Sequence, residues 1–179
     1  MTAQDVLHFW FEETTPDLWF RKDDAFDAAI RARFGALHAR AALGELWEWR
    51  ADASGRLSEV IVLDQFSRNL LRGRAESFAQ DGMALALAQE AVARGLDADL
   101  PPPRRAFLYM PFMHSESARI QAESVRLFTV LGQPNNLDFA LQHQAIVDRF
   151  GRFPHRNTVL GRETTAEEAL FLQQPGSSF

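Results

Sequence analysis

Residues 56–71 place apolar side chains on every side of a helical axis. At about 100° per residue, Leu57, Val60, Ile61, Val62, Leu63, Phe66, Leu70 and Leu71 surround it. A helix that is apolar all round lies in the middle of a protein, so other helices must cover it. In its C-terminal half Asp64, Gln65, Arg68, Asn69 and Arg72 share an arc of roughly 140°. Asp64 and Arg68 are four residues apart, as are Arg68 and Arg72. A buried ion costs several kcal/mol unless it is paired. This stripe is therefore expected to face other polar groups or a ligand.

A second stretch, Phe150-Gly151-Arg152-Phe153-Pro154-His155-Arg156-Asn157, cannot be a regular helix. Gly151 and Pro154 interrupt any period, and proline pushes Phe153 out of the helical region. Two large aromatics within it need burial. The expectation is a structured loop inserted into a helical body, presenting Arg152, His155, Arg156 and Asn157 to a shared polar pocket.

The remaining chain reads as helices with spacings of three and four. Thr2 and Asp5 have capping-box spacing for a helix over 3–13. Leu18, Trp19 and Phe20 form an aromatic knot. Asp23 or Asp24 caps a helix to residue 42, carrying Phe26, Ile30, Phe34, Leu37 and Ala41. Residues 52–55 read as a turn. Asp81 reads as the cap of a helix over 82–94, and a short helix follows over 104–110. The next helix runs to residue 131, with Ala118, Val125, Phe128 and Leu131 inward and with His114, Ser117 and Gln121 on the same face. Its successor runs to residue 150, with Phe139, Ala140, Ile146, Val147 and Phe150 inward and His143 at the centre of that face. Thr165 and Glu168 form a capping box for a last helix, and 173–179 is expected to fray. No useful period of two occurs, so strands are not expected. The fold class is all-α, with about seven to eight helices in antiparallel hairpins.

At 179 residues and 46% hydrophobic content, one domain spanning 1–179 with a full core is expected. Net charge of -5 argues against a nucleic-acid partner. With no cysteine, disulfides, thiolate catalysis and thiolate metal sites are excluded. No signal peptide and no membrane span are read, so a cytoplasmic location is expected. Lys22 is the only lysine against eighteen arginines among the 19 basic residues. Base composition of a genome explains such a bias, and so do guanidinium forks built for carboxylates or phosphates.

Three stretches, Leu63-Asp64-Gln65-Phe66-Ser67-Arg68-Asn69, Pro111-Phe112-Met113-His114-Ser115-Glu116, and 150–157 followed by Gly161-Arg162, resemble the bacterial domain-of-unknown-function 924 family. The likeness runs over nearly the whole chain. It implies an all-helical, tetratricopeptide-like fold and no particular reaction. No 34-residue repeat signature is visible in the sequence itself.

The candidate binding residues are Asp64, Arg68, Arg72, His114, Gln121, His143, Arg152, His155, Arg156, Asn157 and Arg162. Their type suits an anionic small molecule or a peptide carboxylate. His114, Glu116 and His155 are candidate acid/base groups, since a histidine tuned by a carboxylate is the usual proton shuttle. The same residues can instead be an internal ion-pair lock on a protein-interaction scaffold. The histidines lack local metal-ligand spacing, so neither a metal nor another cofactor is expected.

Overall fold

Helix α1 begins with Ala3–His8 and runs on through a π-helical turn, Phe9–Glu13. This computed structural model describes residues 1–178, and among them every regular element is helical. Phe179, within the stretch expected to fray, lies outside the described residues. The Thr2 hydroxyl accepts from the Asp5 N–H, and the Asp5 carboxylate accepts from the Thr2 N–H, completing the expected capping box. Thr14 closes the π turn by donating its N–H and its hydroxyl to the Phe9 carbonyl. In the aromatic knot, the Trp19 indole donates to the Trp10 carbonyl at 2.9 Å.

Helix α2 spans Asp24–Ala42 under an Asp23 cap and buries the expected stripe from Phe26 to Ala41. Helix α3 is continuous but built of three segments: Ala53–Ile61, a π-helical turn Val62–Phe66, and Ser67–Leu70. The expected turn at 52–55 is the start of this helix, because the Asp52 carboxylate accepts from the Gly55 N–H at 2.8 Å. Only glycine fits at 55, where a Cβ would collide with the Trp49 carbonyl.

Helix α4 covers Asp81–Ala93, and α5 covers Pro102–Met113. The sequence reading ended α5 before Pro111, yet the helix passes through it. Pro111 lies so near the C-terminus that its missing N–H deprives one carbonyl of a donor and leaves the rest of the ladder intact. Helices α6 (Ala118–Leu131) and α7 (Pro134–Phe150) follow through short connections, 114–117 and 132–133. Such connections make α5, α6 and α7 antiparallel neighbours, and these two pairs pack extensively. On α6 the buried face is Gln121, Ser124, Leu127 and Phe128, while Ala118 is exposed. On α7 it is Ala140, His143, Ile146 and Val147, and Phe139 is half exposed. The inner face of α7 is thus the expected one except at Phe139, whereas that of α6 is turned towards Ser124 and Leu127. Helix α8, Ala166–Phe171, starts in the Thr165/Glu168 capping box.

The centre is α3, packed by α1, α2, α4 and α5. Its Leu57, Val60, Ile61, Val62, Leu63 and Phe66 are fully buried. Phe66 meets the rings of Phe9, Trp10 and Phe34. A smaller apolar cluster of Ile146, Val147 and Phe153 anchors the loop after α7.

Candidate functional site

The π turn of α3 carries Asp64, which is buried in the core. Asp64 Oδ1 lies 2.8 Å from His114 Nδ1 at the end of α5 and 2.9 Å from Arg68 Nη1. Asp64 Oδ2 accepts from Gln65 at 2.5 Å. Arg68 then reaches outward and forks Asp81, at the start of α4, with bonds of 3.0 and 3.1 Å. Asp81 Oδ2 also accepts from Arg156 Nη1 at 3.2 Å, and Arg156 Nη2 donates to the His114 carbonyl at 3.1 Å. The Phe78 ring faces both guanidiniums, at 5.6 Å from Arg68 and 4.5 Å from Arg156. These contacts join α3, α4, α5 and the loop after α7 around one cleft of about 360 Å³. Phe78, Asp81, His114, Ser115, Glu116 and Arg156 line it, with Leu85, Pro111 and Leu160 as apolar walls.

Burial opposes ionisation of Asp64, but the charge of Arg68 and the hydrogen bonds from His114 and Gln65 outweigh it and hold the carboxyl well below the usual carboxylate range. Burial lowers His114 from the ordinary imidazole value, and Asp64 only partly restores it. Burial takes His143 down to about 3. Burial and the charge of Arg156 take His155 to about 4. These imidazoles are therefore neutral at pH 7. Arg156 itself falls to about 10, through burial and the proximity of Arg68.

The structure brings together Asp64, Arg68, His114 and Arg156. His143 stands behind them, 6.3 Å from His114 and 5.5 Å from Phe153 between ring centres. The His155 ring is tilted against that of Phe153, with centres 5.7 Å apart. Other candidates do not line the cleft. Helix α3 ends at Leu70, so Arg72 leaves the helical phase and turns to α2, where it forks Asp27 at 2.7 and 2.9 Å. Asn69 bonds the same carboxylate. Gln121 caps the end of α5 by donating to the carbonyls of Met113 and Ser115. Arg152 and Asn157 both bond Glu168 at the start of α8. Arg162 forks Glu116 at 2.7 and 2.9 Å, and Glu116 also accepts from the Phe153 N–H. The carboxylate partner of His114 is accordingly Asp64 and not its sequence neighbour Glu116.

Sequence reasoning missed Asp81, which sits inside the first turn of α4 and not ahead of it as a cap. It also missed a second buried network at the other end of α3. There Arg50 forks Glu59, while Arg56 bonds Glu90 and the Arg50 carbonyl. Two charges inside an otherwise apolar helix, Arg56 and Glu59, were the available signal. Among the described residues no group of three or more His, Asp or Glu side chains is placed to hold a metal ion. No helix is long and apolar enough to cross a membrane.

The model of the family described as "Bacterial protein of unknown function (DUF924)" matches residues 6–176. The chain belongs to that family. The solved structure of a protein of unknown function, ATU0120 from Agrobacterium tumefaciens, is similar to this DUF924 chain. The two share 43% identity over 96% of each chain, with a TM-score of 0.91. No curated protein matches.

Proposed function

We propose that this DUF924 chain is a binding module whose cleft takes a small anionic molecule or a peptide carboxylate against Arg156. One observation carries the reading: at the cleft wall a single carboxylate, Asp81, serves two guanidiniums. Arg68 has Asp64 as well, whereas Arg156 has only a shared 3.2 Å contact and a backbone carbonyl. Arg156 is 7% exposed, so its charge is held in a poorly hydrated place. Burial and the neighbouring charge of Arg68 lower its pKa by more than the nearby carboxylates raise it. An anion on this wall relieves it, and a guanidinium fork suits a carboxylate or phosphate.

Thermal unfolding in inorganic phosphate, acetate and short carboxylate peptides tests this. A ligand at about 100 times its Kd adds about 2.7 kcal/mol to stability. Arg156→Lys keeps the charge but loses the fork, and it should weaken the response about tenfold or more. Arg152→Ala, away from the cleft, should not. An unchanged response in Arg156→Lys would place any binding elsewhere.

A further inference from the structure

The anion-binding reading leaves His114 unused, yet its surroundings are those of an oriented base. Nδ1 is committed to Asp64 at 2.8 Å. Nε2 has no partner among the described residues, and it is not one of the sealed polar atoms of the structure. The residue lines the cleft. Asp64 cannot turn away, because Arg68 and Gln65 hold its two oxygens. An ionised carboxylate at Nδ1 fixes the proton on that nitrogen and leaves the Nε2 lone pair free.

Resting on that anion-binding reading, we propose that His114 is the general base of a catalytic centre in this cleft, acting on a small anionic ester anchored at Arg156. Nε2 takes a proton from a water or hydroxyl, so one O–H bond breaks and one N–H bond forms. The freed oxygen electron pair bonds to the electrophilic centre of the ester, and the bond from that centre to the ester's leaving oxygen breaks with its electron pair going to that oxygen. The departing oxygen then takes the proton back from the imidazolium. Asp64 stays ionised throughout and faces the transient positive ring, so it is a positioning residue. The charged and titratable groups around His114 are Asp64 and Arg68 on α3, Asp81 on α4, Glu116 in the following connection, His143 on α7, and His155 and Arg156 in the loop. Burial keeps the ring in its neutral, proton-accepting form at pH 7.

The test uses full-length protein with ¹⁵N-labelled histidine. Long-range ¹⁵N–¹H spectra at pH 7.5 should show His114 protonated at Nδ1 and bare at Nε2. A proton on Nε2, or a charged ring, overturns the proposal. Diethyl pyrocarbonate, which acylates bare imidazole nitrogen, should then label His114 about tenfold faster than buried His143. Asp64→Asn lets its amide donate to Nδ1, moving the proton to Nε2 and slowing that labelling. If Asp64→Asn does not fold, the parent spectrum and labelling order decide alone. A His114 that resists the reagent while His8 reacts is also a refutation. Protection of His114 by inorganic phosphate, lost in Arg156→Lys, reads the anion site separately. Fast labelling without protection sinks the Arg156 site and with it the anchored ester. Phosphate binding with the wrong tautomer sinks the base and spares the anion site.

Discussion

The two ends of α3 carry the same kinds of charge and use them differently. At the N-terminal end Arg50 forks the fully buried Glu59, while Arg56 holds the half-exposed Glu90, which Arg94 also meets at 3.5 Å. At the C-terminal end carboxylates are shared. Asp81 holds two guanidiniums, and Asp64 holds a guanidinium and an imidazole. The first arrangement does not line the cleft, and its contribution is to fix α3 against α4 and the turn before it. The second borders a cleft and includes a ring that can gain or lose a proton. The number of buried arginines does not separate the two. Access to a cleft does.

This contrast can be broken by substitution. The largest expected effect is Glu59→Gln, which takes the buried carboxylate away from Arg50 and should cost about 3–5 kcal/mol in urea unfolding. Phosphate should not restore that loss. Gly55→Ala forces the start of α3 away from the Trp49 carbonyl and should cost about 1–3 kcal/mol. Asp81→Asn should cost about 1–3 kcal/mol, with its partner guanidiniums left short of an acceptor. Unlike the Glu59 variant it should recover in phosphate, since the anion replaces the missing carboxylate. Equal recovery in both variants would erase the distinction between lock and site.

Acid should act on the C-terminal end first. His143 and His155 have folded values of about 3 and about 4, below the ordinary 6.5. Between those values the unfolded chain binds more protons, so stability falls as pH drops below about 6.5. His143→Gln should flatten that slope. Asp64, Glu116 and Glu168 have lowered values, with Glu168 near 2, so their contribution is present above the ordinary carboxylate value and lost as pH falls further. Urea midpoints measured from pH 7 to pH 3 separate the two stages. The smallest effect is Arg126→Ala, an exposed pair with Glu123, expected to cost at most about 0.5 kcal/mol.

The helices were legible because apolar residues at three and four mark a buried stripe, as in α2. The central place of α3 followed from its all-round apolar surface. The Asp64–Arg68 pairing followed from spacing alone. Arg72 was misplaced because the periodicity was carried past Leu70, where the helix stops. Asp81 was overlooked for a related reason: an aspartate before an apolar run reads as a cap, and nothing local shows that two distant arginines will claim it. The loop at 150–157 was legible as inserted, since Phe153 had to be buried and is. Its side chains divide between the cleft and α8, a division set by Glu168 some way along the chain.

The π-helical turn at Val62–Phe66 amounts to one surplus residue in the winding of α3. Removing a single residue there would restore an ordinary α-helix and spin everything beyond it by about 100°. Arg68 would swing off Asp81 and the fork would be lost, while the bundle upstream kept its seat. A one-residue gap at this point in a relative would therefore mark a chain that keeps the architecture and has given up the cleft.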